Sequence, residues 1–166
     1  DPYDPEAWSN IGNALMYLGK NNESLQALDR ALEIDPKYAK AWIYKGFALK
    51  ALGKYDEALK AYDKALQALG EAIEVNSQDV EAWTYKGFAL IAKGDYEEAL
   101  LTLDRAVEID PKYAKAWIYR GNALSFQEKY EEALQAYDRS IEIDPQDATA
   151  WNNKGSALMA QGNYDE

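Results

Sequence analysis

The sequence predicts an all-α solenoid of antiparallel helix pairs, and three observations predict it. First, a Trp that follows an Ala and precedes a Gly by four positions recurs five times, at spacings of 34, 41, 34 and 34 residues. Second, the apolar residues between these points recur with helical periodicity. Third, a unit of this length is too long for one helix and too short for a domain, so it needs neighbours to cover its apolar face. The five positions are Trp8, Trp42, Trp83, Trp117 and Trp151.

The first half of each unit is predicted to form one helix. In the unit that begins at Ala39, the residues Trp42, Gly46 and Leu49 lie on one helical stripe. This half ends at Gly53, and glycine commonly ends a helix because it adopts a left-handed backbone conformation without strain. The Gly within each stripe leaves room for a partner helix to approach.

The second half of each unit is predicted to form the partner helix. From Tyr55 onward, Ala58, Tyr62 and Ala65 recur at the i, i+4, i+7 spacing of an apolar helix face. An Asp-Pro pair then ends most units, because proline disfavours helical conformation in the residue before it. Each unit is therefore predicted to be an antiparallel helix pair that stacks on the next pair.

The residues of each unit resemble the tetratricopeptide repeat family, whose pattern is Trp, Gly, an aromatic, Ala, an aromatic or Leu, Ala and Pro. In the fourth repeat these residues are Trp117, Gly121, Tyr130, Ala133, Tyr137 and Pro145, with Ser140 in place of the last Ala. The resemblance implies an α-solenoid coiled as a right-handed superhelix, one array over residues 1–166. Its repeats are predicted at 5–38, 39–79, 80–113, 114–147 and 148–166, the last one truncated. Glu128 stands where Gly is usual, which predicts an altered turn.

The second unit is seven residues longer than the others, and the insertion falls near residues 66–73. It reads as one added heptad, because Leu59, Leu66 and Ile73 align and seven residues drift only about 20° from two helical turns. Three outcomes are open: a continuous long helix with a shift of the later repeats, a break at Gly70 with a looped-out insert, or a long helix that packs against another chain. We favour the continuous helix, since one interior Gly costs about 1 kcal/mol relative to Ala.

The composition excludes most catalytic chemistry. The chain has no Cys and no His, which removes thiol nucleophiles, imidazole bases and the usual zinc ligands. We expect no enzyme activity, cofactor or metal. A net charge of −11 without a basic run argues against nucleic acid, and no stretch is apolar enough to span a membrane. The chain begins Asp1-Pro2 within a repeat and shows no targeting peptide, so we expect a cytoplasmic fragment of a longer array.

The charge is segregated between the two halves of the repeats. The first halves carry eight basic and three acidic residues, a net charge of +5, so the remaining residues carry −16. In the family that the chain resembles, first helices line a concave groove and second helices form the convex back. The resemblance therefore implies a mildly basic groove. Four of the basic residues directly precede the packing Gly, and we interpret them as structural, with stems along the core. These four are Lys45, Lys86, Arg120 and Lys154.

The family's groove-lining positions fall two residues before each Trp and one, two, five and eight residues after it. Among these we interpret the aromatic rings of Tyr44, Tyr85 and Tyr119 mainly as core. Phe47 and Phe88, together with Ile43 and Ile118, are predicted to form an exposed apolar patch. The candidate peptide-binding residues are Lys40, Ile43, Tyr44, Phe47, Lys50, Thr84, Tyr85, Phe88, Lys115, Ile118, Tyr119 and Asn122.

Some family members hold the acidic C-terminus of a chaperone with a clamp of Lys and Asn residues. Counted from repeat one, only Asn13 fits that pattern, so no chaperone-tail adaptor is predicted. The leading hypothesis is a non-catalytic scaffold that binds a protein or peptide segment in the groove. The fold is consistent with a recognition function, but it does not identify the target. Two alternatives are a self-assembling array, a homodimer with Leu66, Leu69 and Ile73 at its interface, and the targeting arm of a larger enzyme.

Overall fold

Residues 2–162 are described by a computed structural model, and they form nine α-helices that divide between two compact units. The first unit ends at Val75 and the second begins at Asn76. The first unit contains α1 (Pro5–Tyr17), α2 (Asn21–Ile34), α3 (Ala39–Ala51) and α4 (Tyr55–Val75). The second contains α5 (Val80–Lys93), α6 (Tyr96–Ile109), α7 (Ala114–Phe126), α8 (Tyr130–Ile143) and α9 (Ala148–Gln161). The predicted all-α solenoid of helix pairs is confirmed, whereas the predicted end of the array at residues 163–166 lies outside the described residues.

Each unit is a stack of helix pairs. In the first unit α1 packs on α2, α3 packs on α4, and α3 also contacts α1 and α2. In the second unit α5 packs on α6 and α7 on α8, while α7 contacts α5 and α6, and α9 contacts α7 and α8. Helices α3 and α7 are therefore each covered by their own partner and by the preceding pair. No helix within residues 2–162 is long and apolar enough to cross a membrane.

The turn inside each pair uses a left-handed residue after the first helix. Gly53 has φ of +75°, and the N–H of Lys54 donates to the carbonyl of Leu49 at 2.9 Å, the six-residue ring of a Schellman motif. In the fourth repeat Glu128 occupies the same position with φ of +60°, and the N–H of Lys129 donates to Leu124 at 3.0 Å. The predicted altered turn is therefore wrong, because the glutamate adopts the glycine's conformation.

The loop between pairs is held by the indole of the following Trp. The Nε1–H of Trp42 donates to the carbonyl of Pro36 at 2.8 Å, and the carboxylate of Asp35 accepts the N–H of Lys37 at 2.9 Å. The same indole bond forms at every repeat, six residues back along the chain. Where Ser77 replaces the Pro, Trp83 bonds its carbonyl at 3.0 Å. A carbonyl is all that the indole requires, so the proline can be replaced without loss of this contact.

The lengthened second half of repeat two forms one uninterrupted helix. Helix α4 runs for 21 residues from Tyr55 to Val75, so the favoured interpretation of a continuous helix is confirmed. Its added turns are tied to the preceding loop, because Glu71 pairs with Lys37 at 2.6 Å and accepts a bond from Gln67 at 3.1 Å. This hydrogen-bonded pair lowers the pKa of the Glu71 carboxyl and raises the pKa of Lys37.

The packing glycines bring the two helices of a pair into direct contact. A Cβ placed on Gly46 or on Gly121 would overlap the ring of the facing tyrosine, Tyr62 or Tyr137 respectively. The predicted packing role of these glycines is confirmed. At Gly155 in α9, by contrast, a Cβ would meet nothing within 4 Å among the described residues.

Candidate functional site

The first helices are apolar around most of their circumference, and this decides which predicted groove residues reach the surface. Ile43 in α3 and Ile118 in α7 are only 0% and 3% exposed. The prediction that they belong to an exposed patch is therefore wrong. Because α3 is enclosed by three other helices and α7 by four, the residue one position after the Trp is covered in both.

Two predicted residues of α5 are also part of the core. Thr84 is fully buried, and its hydroxyl donates to the carbonyl of Val80 at 2.7 Å, a bond within the helix. The ring of Tyr85 is buried as well, which agrees with its interpretation as mainly core. Of the predicted α5 residues, Phe88 keeps a half-buried side chain.

An aromatic patch lies on α5 and α7 in the second unit. The rings of Phe88 and Tyr119 stack with centroids 4.4 Å apart and planes 5° from parallel. The ammonium of Lys115 donates to the hydroxyl of Tyr85 at 3.3 Å and lies 5.4 Å from the centre of its ring. The structure thus joins four predicted residues from two repeats through two contacts between α5 and α7, Phe88 with Tyr119 and Tyr85 with Lys115.

A pocket of about 370 Å³ adjoins α7, α8 and α9 in the second unit, and most of its lining surface is apolar. We call it the polar pocket for the polar side chains grouped at its centre. At its centre the Oδ1 atom of Asn122 accepts two hydrogen bonds at 2.9 Å, from the hydroxyl of Tyr137 and from the amide of Asn153. Ser125 lies 3.2 Å from the Tyr137 hydroxyl. The amide nitrogen of Asn122 and the amide oxygen of Asn153 have no hydrogen-bond partner within residues 2–162, so one donor and one acceptor remain available.

The candidate residues of the first unit form a different surface. Phe47 makes an edge contact with the ring of Tyr62, with centroids 5.7 Å apart. Tyr44 packs against the core around Leu28. Lys40 is partly buried and Lys50 is exposed, so all four candidates lie near the surface of α3.

The residues predicted to be structural cations are confirmed as such. Lys45 reaches back to pair with Asp29 at 2.5 Å, and it also lies 5.2 Å from the ring of Trp42. Equivalent pairs join Arg120 to Asp104 at 2.7 Å and Lys154 to Asp138 at 2.7 Å, and Lys86 lies over Trp83. These cations already have partners within the chain, so they are not available to a ligand.

The three residues predicted for self-association differ in exposure. Leu69 is only 6% exposed, while Leu66 and Ile73 are half-buried on the added turns of α4. Leu69 therefore offers little surface to another chain, and the largest exposed apolar side chain of this segment is Val75 at its end. Self-association through α4 stays a prediction.

Of the residues that line the polar pocket, the sequence analysis proposed only Asn122 as a candidate and missed the others, including Asn153 and Tyr137. Asn153 lies two residues after Trp151, and the rule applied to the middle repeats would have found it in the fifth. Tyr137 was interpreted only as a packing residue, because its position belongs to the second helix. The signal for its hydroxyl is the pair of polar residues, Asn122 and Ser125, at positions that hold Phe47 and Lys50 in repeat two.

A stack of helix pairs with a surface of aromatic and amide side chains is typical of a protein-interaction scaffold. The chain belongs to the tetratricopeptide repeat family. The family's repeat profiles match residues 5–38 and 114–147, residues 37–112, and residues 136–166. No curated protein matches the chain.

Solved structures with the same fold include peptide-binding proteins. The chain is similar to YrrB, described as a tetratricopeptide repeat protein with an unusual peptide-binding site, at 27% identity over 93% of each chain with a TM-score of 0.50. It is similar to the first repeat domain of Spaghetti (RPAP3) bound to an HSP90 peptide, at 26% identity over 77% of this chain and 96% of that one, with a TM-score of 0.52. A thermophilic repeat protein of Thermus thermophilus, TTC0263, shares the fold at 18% identity, over 96% of this chain and 84% of that one, with a TM-score of 0.68.

Proposed function

We propose that the chain is a non-catalytic scaffold that binds an extended peptide segment along the first helices of its second unit. The observation that carries this proposal is the polar pocket on α7, α8 and α9, with the aromatic patch on the same helix α7. Two similar structures, YrrB and the Spaghetti domain, are described by their peptide sites, which supports the same use here.

The pocket suits a peptide backbone because its two amide side chains still have one hydrogen-bond donor and one acceptor available. A peptide unit carries one donor and one acceptor. The amide nitrogen of Asn122 and the amide oxygen of Asn153 match these two groups, while the bonds from Tyr137 and Asn153 hold the Asn122 side chain in place. The pocket volume, about 370 Å³, lies in the range of ligand sites, about 300–1,000 Å³.

The aromatic patch supplies the apolar part of the recognition. Phe88 and Tyr119 present a stacked pair of rings on which an apolar ligand side chain can pack, and buried aromatic anchors commonly contribute about 2 kcal/mol or more. Lys115 beside the patch favours an acidic residue in the ligand, with its main effect on association rate and salt dependence. Lys40, Phe47 and Lys50 of the first unit stay candidates for a longer ligand.

The proposal is tested with peptides selected from a random-sequence display library against the whole chain. Phe88→Ala and Asn153→Ala should each weaken a selected peptide about tenfold or more, which corresponds to roughly 1.4 kcal/mol per decade. The matched controls are Leu101→Ala, an exposed apolar residue of the second helix α6, and Asn152→Ala, the exposed neighbour of Asn153. Isothermal titration calorimetry measures affinity, and circular dichroism confirms the helical content of every variant. Unchanged binding by both groove variants would contradict the proposal.

A further inference from the structure

A second cavity, of about 460 Å³, lies in the first unit between α3 and α4. Its floor is formed by Trp42, Leu49 and Ala61, and its rim by residues of α4. At 3.6 residues per turn, Phe47 points about 140–160° away from Trp42 and Leu49, and Lys50 about 80–100° away. Neither Phe47 nor Lys50 lines the cavity. The cavity is therefore separate from the candidate groove positions of the same helix.

Two lysines at this rim have no ion-pair partner. Lys60 and Lys64 are exposed on α4, and no carboxylate among residues 2–162 lies within ion-pair distance of either ammonium. The other charges at the cavity all have contacts within the chain: Glu57 pairs with Lys54 at 3.7 Å, Lys45 pairs with Asp29, and Asp63, which also lines the cavity, has an interaction as well. In a chain of net charge −11, this is a local surplus of positive charge beside an apolar floor.

The surplus is specific to repeat two and comes from two positions of the repeat pattern. In the three other complete repeats, the residue equivalent to Lys64 is an arginine paired with a glutamate three residues later. The pairs are Arg30 with Glu33 at 2.7 Å, Arg105 with Glu108 at 3.0 Å and Arg139 with Glu142 at 2.6 Å. In repeat two that glutamate is replaced by Gln67, whose amide is directed at Glu71 in the added turns. The residues equivalent to Lys60 are Gln26, Leu101 and Gln135, none of them basic.

We propose that this cavity is a second binding site, which takes an apolar side chain flanked by carboxylates in a peptide segment of a protein partner. The floor accepts the apolar side chain, and Lys60 and Lys64 pair with the flanking carboxylates. Charge complementarity selects the ligand, because the lysines around the cavity, Lys45, Lys60 and Lys64, outnumber its two carboxylates. The site lies on different residues from the proposed peptide groove and does not depend on it.

The test uses the whole chain, labelled with ¹⁵N, and two synthetic probes. One is the acetylated and amidated peptide Asp-Glu-Leu-Phe-Asp-Glu, and the other is its neutral counterpart Asn-Gln-Leu-Phe-Asn-Gln. The acidic peptide should shift the indole resonance of Trp42 and the backbone amides of residues 57–67. The neutral peptide should bind about tenfold more weakly, and the affinity of the acidic one should fall as salt is raised, since salt screens exposed charges.

Three variants separate this site from general attraction. Lys60→Gln combined with Lys64→Gln should weaken the acidic peptide about tenfold or more. Gln67→Glu should weaken it severalfold while both lysines stay, because it restores the ion pair that the other repeats make. The matched control, Lys112→Gln with Lys129→Gln, removes the same charge from exposed lysines of the second unit and should leave the affinity unchanged. Phe88→Ala and Asn153→Ala should leave the shifts of the Trp42 indole and of residues 57–67 unchanged.

Three outcomes would overturn the second site. They are equal binding of the acidic and neutral peptides, equal loss of affinity in both lysine pairs, or resonance shifts confined to α5, α7 and α9. The last result would assign the acidic peptide to the groove, and it would leave the proposed function standing while removing this one.

Discussion

Repeats two and four place a tyrosine at the same point of their second helices, yet the two hydroxyls have opposite surroundings. Both rings are buried against the glycine of the first helix. The hydroxyl of Tyr137 donates to Asn122 and lies beside Ser125. The hydroxyl of Tyr62 is buried with no hydrogen-bond partner among the described residues. The packing of the pair therefore requires the ring, and the neighbours on the first helix decide what the hydroxyl does.

The cause of the difference lies in two groove positions. Where repeat four has Asn122 and Ser125, repeat two has Phe47 and Lys50. Phe47 meets the ring of Tyr62 edge-on and offers its hydroxyl no acceptor. Residues that line a recognition surface thus also satisfy, or leave unsatisfied, a polar group of the core beneath them. A change in the ligand surface of one repeat therefore has a cost or a benefit in stability.

The largest expected effect tests what the two repeats share. Gly46→Ala and Gly121→Ala should each lower the free energy of unfolding by about 1–3 kcal/mol, because the added methyl overlaps a buried tyrosine ring. Urea denaturation followed by circular dichroism measures the change.

The control for these substitutions is the open glycine of the fifth repeat. Gly155→Ala should raise the free energy of unfolding by up to about 1 kcal/mol, since alanine is the better helix former and the methyl meets no atom of residues 2–162 within 4 Å. Equal effects at all three positions would show that helix propensity, not ring contact, explains the glycines.

The next effect concerns alkaline pH. Burial raises the pKa of Tyr62 to about 12, from an ordinary value of 10. Between these two values the unfolded chain loses this proton while the folded chain keeps it, so the stability falls as pH rises from about 10 to about 12. Tyr62→Phe should remove a loss of about 2 kcal/mol across that range. The comparison of unfolding free energies at pH 9 and pH 11.5, for the variant and the unchanged chain, measures it. An identical loss in both proteins would refute this assignment.

A smaller effect of opposite sign is expected when each hydroxyl is removed at neutral pH. Tyr137→Phe should lower the free energy of unfolding by about 1 kcal/mol, because it deletes a hydrogen bond to Asn122. Tyr62→Phe should leave it unchanged or raise it by about 1 kcal/mol, because it removes a buried polar group that has no partner. Thermal and urea unfolding of both variants provide the measurement.

A double-mutant cycle shows whether the groove residue is responsible. Phe47→Asn places an amide where repeat four has Asn122. Its effect on stability should be more favourable by about 1 kcal/mol in the presence of Tyr62 than in the Tyr62→Phe background. A coupling energy near zero would mean that the hydroxyl environment is set elsewhere.

The smallest effect compares the turns of the same two repeats. Glu128 holds a left-handed conformation, φ of +60°, that Gly53 adopts without strain. Glu128→Gly should therefore stabilise the chain by about 0.5–1 kcal/mol, and Gly53→Ala should destabilise it by about 1 kcal/mol. Differential scanning calorimetry resolves both shifts. Destabilisation by Glu128→Gly would show that the side chain contributes a contact that outweighs the strain.

The helices could be predicted because their signals are local. The apolar spacing that aligns Leu59, Leu66 and Ile73 lies within one segment, and the structure has one continuous helix there. Exposure was harder to predict. Ile43 and Ile118 occupy groove positions by the family's rule, but burial depends on how many neighbours enclose the helix, which no local pattern records.

The polar pocket depends on contacts between distant residues. Asn122 and Asn153 are 31 positions apart, and Asn122 and Tyr137 are 15 apart. Each polar residue is ordinary in its own helix. Only the stacking of α7, α8 and α9 brings their side chains together, so the sequence supported the candidate Asn122 without its partners.

The ion pairs between successive helix pairs place their cation and their carboxylate in the same order along the chain. In each of three joints, the cation belongs to the first helix of one repeat and the carboxylate to the second helix of the repeat before it. The joints are Lys45 with Asp29, Arg120 with Asp104 and Lys154 with Asp138. A repeat of this kind presents a cation to the repeat before it and a carboxylate to the repeat after it. Duplication of its gene segment would therefore add a unit that already fits both neighbours, and such an array can lengthen without any compensating substitution.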